Sequence, residues 1–427
     1  MKKLTAIVVG YGLRGKAYSD YALKHPDELE IIGVAEPLVE RREEAQKIHN
    51  IKDDMAFDDW KNLAKLPRIA DFIILSTQDK MHTEPAIKFL DIGYDLLLEK
   101  PMAPTPKESK KIMKKAEEKG AKVVVCHVLR YTDFWGKVKE LVDEGKIGDI
   151  KSIVHVEGVG HLHQSHSFVR GNWGNTKRSA PMILAKSCHD TDLIQWLIGK
   201  ECKKVHSFGS LEYFCKKNMP EGASKRCTDG CKYAEECYYN AVKFYVDQKD
   251  NVWRGTVANK PDPTDEEIMR ALEKGPYGKC VYQTDNDVVD RQVVNMEFED
   301  GITVSFSMNP FNKGGRNMRI YGTKGELYAN KDEDVIELYT FDHWKETKLW
   351  EKEIYKTAVI GEGIESGHGG GDFGIMRDYI KYLRDGKMEK SISSIRTSYI
   401  SHLIAFAAEK SRLTGKVIDV DKYSNKI

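Results

Sequence analysis

Val8-Val9-Gly10-Tyr11-Gly12-Leu13-Arg14-Gly15 closes an apolar run that begins at Ala6 and opens a helix-like one, and Glu36 follows 21 residues after Gly15. A Gly-x-Gly-x-x-Gly spacing alone is weak evidence. Set between a buried strand and a helix, with an acid ending the next strand, it describes a dinucleotide site. Gly10 permits the tight turn, Gly12 lets the backbone approach a pyrophosphate, and Gly15 lets helix and strand pack closely. The helix N-terminus offers free N–H groups and a positive dipole end to phosphates. An ordinary Gly-rich turn is the bland alternative, and the flanking pattern argues against it.

Leu29-Glu30-Ile31-Ile32-Gly33-Val34-Ala35-Glu36 reads as the second parallel strand, with a carboxylate at its tip. That carboxylate suits both ribose hydroxyls and would repel a 2′-phosphate, so NAD is expected rather than NADP. Pro37 follows, and Arg41 and Arg42 are expected on the solvated face of the next helix.

A chain of 427 residues predicts two or three domains and a sizeable core. Its 67 basic and 66 acidic residues nearly cancel, which gives no global field for nucleic acid or an anionic membrane. The N-terminal residues run straight into a strand without signal-peptide features, and no apolar run approaches spanning length. A soluble cytoplasmic protein is the expectation. Up to about Val128, continuous apolar strands (Leu4–Val9, Glu30–Ala35, Phe72–Ser76, Leu96–Leu98, Lys122–Val125) alternate with amphipathic helices, which predicts one Rossmann-type domain over residues 1–128. Residues 129–427 carry longer alternating strands and fewer helices. Ile150–His163 reads as one of those strands. The fold class expected is α/β, with an α+β second domain built on a large open, mostly antiparallel sheet. A charged, Cys-rich insertion lacking its own core is expected at about 214–288.

Leu98-Glu99-Lys100-Pro101 ends a strand of the first domain. Ligands of open parallel sheets sit at the C-terminal strand ends, so Lys100 projects toward the nicotinamide. Pro101 fixes φ and sharpens the exit. Together with the glycine fingerprint and a downstream helix bearing His189-Asp190-Thr191-Asp192, this resembles the Gfo/Idh/MocA oxidoreductase family, named for glucose–fructose oxidoreductase and inositol dehydrogenase. The resemblance implies an N-terminal NAD(P) domain, a C-terminal open sheet that commonly makes homodimer or homotetramer contacts, and sugars or polyols as substrates. It also implies that Lys100 and His189 form the catalytic pair. The chemistry agrees: oxidising a secondary alcohol needs a proton acceptor as hydride leaves, and imidazole titrates near neutrality.

Many members carry an aspartate four residues before that histidine; here Ala185 stands there, with Lys186 beside it. One reading places Lys186 in the cleft, lowering the pKa of Lys100 by like-charge repulsion. The other has Lys186 capping a carboxylate. Thr77, Gln78 and His82, at the end of the third strand and the start of the following helix, are expected to edge the cofactor, as are Tyr11, Leu13, Arg14, Glu99, His127 and Arg130. Tyr131, His163, Trp173, Asp192 and His368 are expected at the substrate. His161, His163 and His166 invite a metal reading, but a substrate-rim role with Arg170, Asn172 and Trp173 is preferred, the indole stacking on a sugar face. Gly367-His368-Gly369-Gly370-Gly371-Asp372 reads as a flexible segment closing on the ligand, with lesser contributions expected from Tyr282, Asp285, Asn286 and Asp287.

Cys215-x11-Cys227-x3-Cys231-x5-Cys237 places four thiols within 23 residues. Thiolates at such spacings can enclose tetrahedral zinc; two disulfides or unmetallated thiols are the alternatives. The expected activity is NAD-dependent hydride transfer to or from a secondary alcohol of a sugar, polyol or glycoside. A redox-neutral NAD-dependent glycosidase working through a 3-keto intermediate and elimination is the alternative, and a non-catalytic NAD sensor a third.

Overall fold

The computed structural model describes residues 3–341, 349–357 and 368–427. Six short strands build the first sheet: β1 (Leu4–Val9), β2 (Leu29–Ala35), β3 (Ala56–Phe57), β4 (Phe72–Leu75), β5 (Asp95–Leu98) and β6 (Val123–Val125). Their order is β3-β2-β1-β4-β5-β6, and every pair is parallel. Helices cover both faces, which is why these strands are continuous apolar runs. Ala6–Val9 and Phe72–Leu75 are almost fully withdrawn from water, each large side chain contributing ~1.5–3 kcal/mol. The order reverses between β1 and β4, so the connections leave in opposite directions and open a crevice at the C-terminal strand ends.

The second sheet has nine strands: β7 (Ile150–Gly158), β8 (Cys202–Ser210), β9 (Arg291–Phe298), β10 (Thr303–Asn309), β11 (Gly315–Gly322), β12 (Gly325–Asn330), β13 (Val335–Phe341), β14 (Trp350–Lys356) and β15 (Ile418–Asp419). The order is β14-β13-β12-β11-β7-β10-β9-β8-β15. β7 and β10 run parallel, and the other neighbours are antiparallel. One face is buried beneath the helices Cys188–Ile198 and Ile395–Thr414. The other is open: β9 alternates strictly between exposed and buried residues, and Val154, Phe208, Val293, Phe341, Trp350 and Ile354 are exposed.

Two expectations need correction, and one element crosses between the domains. Ile150–His163 is not one strand: it stops at Gly158, and after Gly160 (φ +83°) the chain coils into a helical segment whose later part, Gln164–Arg170, is π-helical. The second domain does not keep all its elements to itself. The helix Gly371–Asp385 returns to the first sheet, where Ile375, Met376 and Tyr379 pack on Phe72, Ile74, Leu97 and Val124. The sheet's second face needs an apolar cover, and this stretch supplies it. The insertion also has a small core, formed by Ala241, Phe244, Tyr245, Val257, Ile268 and Leu272. Among the described residues no helix is long and apolar enough to cross a membrane.

The returning helix generates a test. Ile375 is fully buried, so Ile375→Ala should cost about 2–5 kcal/mol in urea unfolding. A loss below about 1 kcal/mol would mean the helix contributes little to holding the first sheet.

Candidate active site

The crevice between β1 and β4 is lined by the glycine turn. Gly10 has φ +91°, and a Cβ there would lie 2.7 Å from the Ser76 carbonyl oxygen. A Cβ on Gly15 would lie 2.1 Å from the Gly10 oxygen, so neither position tolerates a side chain. Gly12 differs: its nearest neighbour would be Arg41 Nη1 at 3.7 Å, leaving the backbone approachable. Arg41 therefore faces the glycine turn rather than only solvent, and its other nitrogen donates to Asn259 of the insertion. Glu36 is buried at the tip of β2 and accepts from the backbone N–H of Tyr11 (2.7 Å) and Leu38 (3.0 Å). Leu13 is 63% exposed at the rim, whereas the Tyr11 ring is buried with its hydroxyl 3.2 Å from His49 Nε2. Tyr11 thus packs inward instead of presenting a face to the cleft.

Arg14, expected to meet the cofactor, spends its guanidinium on protein groups. It donates to Glu99 Oε1 (2.8 Å), to both Asp372 oxygens (2.5 and 3.0 Å) and to the Tyr18 hydroxyl. The two carboxylates are buried and need such a partner, while the guanidinium keeps part of its surface in water. Burial works against ionisation of Glu99, but Arg14 and Lys100 outweigh it and hold the carboxyl below its usual range. His368 joins the same group, 3.3 Å from Asp372 Oδ2 and 3.2 Å from Arg14 Nη1. Gly367 lies outside the described residues.

The Lys100–Pro101 peptide is cis. The turn is clamped by two buried histidines. His82 Nδ1 sits 2.8 Å from the Pro101 oxygen and Nε2 sits 2.9 Å from the Thr77 oxygen. His402 accepts the Met102 N–H at Nε2 (3.1 Å), with Nδ1 2.7 Å from the Ser398 oxygen. His82, expected to edge the cofactor, braces the turn with both ring nitrogens. His402 was missed because nothing in its local sequence marks it. Gln78 is exposed beside the crevice, and Thr77 Oγ1 is buried without a hydrogen-bond partner among the described residues.

Lys100 Nζ donates to the Ala185 carbonyl (3.2 Å), one turn before His189. Burial pushes the His189 imidazole well below its ordinary pKa, and the next largest contribution is the Lys100 ammonium. His189 Nδ1 has no hydrogen-bond partner among the described residues. The His127 ring packs 5.8 Å from that of His189 and is likewise held neutral, chiefly by burial. Arg130 and Asp192, expected at cofactor and substrate, are instead each other's partners: a buried bidentate pair at 2.6 Å for both bonds. Tyr131, expected at the substrate, is buried, and its hydroxyl accepts the Ser393 N–H (2.9 Å).

Lys186 pairs with Glu157 at 3.1 Å. This carboxylate is buried, and Arg316 Nε lies 2.6 Å from its other oxygen while donating to Asp190 (2.9 Å). Burial lowers the pKa of Lys186, opposed by Glu157. Burial raises that of Glu157 against the pull of Arg316 and Lys186. Nothing in the local sequence marks Arg316 or pairs it with Asp190. His163 stands near this network: burial, then Lys186, His166 and Lys100, push it well below its usual pKa. His166 stacks 4.7 Å from both Trp253 and Tyr277, and His163 packs 5.3 Å from the same Trp253, so these two rings join an aromatic cluster. Trp173 donates from Nε1 to Asp79 (3.0 Å), linking the two domains at the cleft. Arg170 leaves the rim for the insertion, and Asp285 and Asp287 bind Arg178 and Thr176.

The expected sulfur set is not assembled. Cys215 bonds the Glu212 carbonyl (3.1 Å), while Cys227, Cys231 and Cys237 line a cavity shared with Cys280. Among the described residues no group of three or more His, Cys, Asp or Glu side chains stands ready to hold a metal ion.

Family models for an oxidoreductase family match both parts: its NAD-binding Rossmann fold over residues 4–127 and its C-terminal alpha/beta domain over residues 139–420. The chain belongs to the Gfo/Idh/MocA family. Bacillus subtilis (strain 168) YteT, an oxidoreductase by name, is 25% identical over 76% of this chain and 74% of that protein. The 2,7-anhydro-N-acetylneuraminate hydratase of Escherichia coli (strain K12) is 24% identical over 47% of this chain and 51% of that protein. Among solved structures, levoglucosan dehydrogenase in complex with NADH and levoglucosan is 18% identical, covers 98% of this chain and 100% of that one, and superposes with a TM-score of 0.71, which shows the shared fold.

Removing one half of the Arg130–Asp192 pair leaves a buried charge, so Arg130→Met should cost about 3–5 kcal/mol in chemical denaturation. Arg130→Met with Asp192→Leu should recover much of that loss. Equal instability in both variants would show that packing, not the unpaired charge, sets the cost.

Proposed function

We propose that this Gfo/Idh/MocA protein is an NAD-dependent oxidoreductase acting on a secondary alcohol of a carbohydrate-like molecule. The observation that carries the reading is the approach of Lys100, from the end of β5, to the Ala185 carbonyl, which closes the short helix just before the one bearing His189. The chain fits the cofactor: Gly12 is approachable, Glu36 is fixed at the ribose position, and Thr77 Oγ1 is an unpartnered buried hydroxyl among the described residues. NAD, when bound, supplies the hydride acceptor. Glu36 favours it over NADP.

The neutral His189 imidazole accepts the substrate hydroxyl proton, and the Lys100 ammonium donates a hydrogen bond to the oxygen as charge develops there. His163, Trp173 and His368 border the substrate side. The family's redox-neutral possibility draws support from the relatives named as hydratases; it would use the same two residues and return the hydride. The presence of both side chains favours catalysis over a binding-only sensor. The open sheet face, with Val154, Phe208 and Val293 exposed, supports pairing of copies into a homodimer or homotetramer. All eight cysteines are free, which suits a reducing cytoplasm.

Lys100→Met and His189→Asn should each lower kcat by about 10²–10⁴-fold on a sugar, polyol or glycoside found by screening, with NADH fluorescence binding retained. Unchanged turnover in either variant would exclude that residue from the chemistry. Free NADH accumulates in a dehydrogenase and not in a redox-neutral enzyme.

His189 is the base only when neutral, and its pKa is depressed, so its active form persists as pH falls below the ordinary histidine value. The kcat/KM profile should stay flat from about pH 8 to 6.5 and fall only below that range. An acidic limb centred near pH 7 would reject the assignment.

A further inference from the structure

We propose that Cys227, Cys231, Cys237 and Cys280 bind one zinc ion, that Arg170 is its charge partner, and that Cys215 is not a ligand. The claim stands independently of the catalytic reading.

The backbone brings distant cysteines together. The Cys227 N–H donates to the Gly278 oxygen and the Cys280 N–H to the Lys225 oxygen, both at 2.9 Å, with Arg226 opposite Lys279 as an antiparallel bridge. Cys231 and Cys237 are held on tight turns by the bonds Ala234 N–H to Cys231 oxygen (3.0 Å) and Cys237 N–H to Tyr233 oxygen (2.9 Å). All four thiols are unpaired and line one cavity with Arg170, Tyr239 and Asn240. Cys215 does not line it.

Arg170 is the second, separate observation. It is 3% exposed. Nε donates to the Lys279 oxygen (2.8 Å), while Nη2 donates to the Tyr239 oxygen (2.7 Å) and lies 3.6 Å from Cys227 Sγ. Nη1 has no hydrogen-bond partner, and no carboxylate pairs with this guanidinium among the described residues. A buried cation without an anion is costly. Four thiolates around Zn²⁺ carry a net double negative charge, which meets that need at the spot where the guanidinium points.

The sulfurs share a cavity without forming a finished tetrahedron, so binding includes cysteine side-chain rotation between staggered rotamers. The step balances: four S–H bonds ionise, four protons pass to solvent, four Zn–S bonds form, and nothing is oxidised or reduced. Tetrahedral sulfur coordination suits zinc. Such a site would fasten the insertion to the segment Gln164–Arg170 through Arg170.

The test uses the full chain purified without chelator. Elemental analysis should find about one zinc per chain, falling below about a quarter in Cys280→Ser and unchanged in Cys215→Ser. Because Cys280→Ser could fail to fold, native alkylation mapped by mass spectrometry on the unaltered protein provides a second reading. Cys215 should react while the other four stay protected until a chelator is added. Cobalt(II) reconstitution of the stripped protein should give tetrahedral thiolate absorption. Absence of zinc, iron in its place, loss of metal in Cys215→Ser, or reaction of Cys280 before chelation would each overturn the proposal.

Discussion

Arg14 pairs its half-buried guanidinium with buried acceptors from separate parts of the chain. It sits in the first turn of the helix after the glycine turn, grips Glu99 beside Lys100, and holds Asp372 at the start of the helix that returns to cover the first sheet. Glu99 in turn accepts the Lys100 N–H at 2.6 Å and the Tyr18 hydroxyl at 2.6 Å. The fingerprint, the lysine turn and the second-domain helix therefore share one set of charges. Moving any of them leaves an unpaired ion, so the cleft geometry is fixed by the cost of that mismatch and not by surface contacts.

The same constraint recurs on the second-domain side. Arg316 joins Glu157 of β7 to Asp190 of the His189 helix, and His155 of β7 reaches Asp190 at 2.8 Å. Arg130 and Asp192 fasten the opposite face of that helix. Such pairs add little net stability over apolar packing, but their hydrogen bonds accept only one arrangement. Two pairs on neighbouring residues leave the helix little freedom to rotate, and His189, between Asp190 and the Cys188 turn, inherits that fixed orientation.

Much of this was legible in the sequence because it is written locally. The parallel strands are apolar runs, Gly10 and Gly15 sit where a Cβ would strike backbone, and Lys100 and His189 belong to short motifs. What escaped depends on pairing across the chain. Nothing near Arg130 says that its partner is Asp192, nor does the local pattern near Cys280 join it to Cys227. The edge strand β14 is almost wholly exposed, so burial imposed no alternation on it. Gln164–Arg170 winds as a π-helix, a geometry without its own residue period, and its one histidine, His166, stacks on Trp253 and Tyr277. Tyr131 and His82 sit at the right strand ends, yet their side chains turn inward to satisfy buried backbone groups.

The two lysines near the cleft show how environment separates residues of one type. Lys186 is met by a buried carboxylate, its charge spoken for within the Glu157–Arg316–Asp190 network. Lys100 has an adjacent carboxylate too, but Glu99 turns its oxygens toward Arg14, Tyr18 and the Lys100 backbone. Among the described residues the Lys100 ammonium donates only to the Ala185 carbonyl. An ammonium has three donors, so this one retains hydrogen bonds to give. The His189 imidazole is kept neutral by burial and by that same positive charge. A donor with unused capacity and a base denied its proton, held together by rigid ion pairs, is the polarity that removing a hydroxyl proton requires.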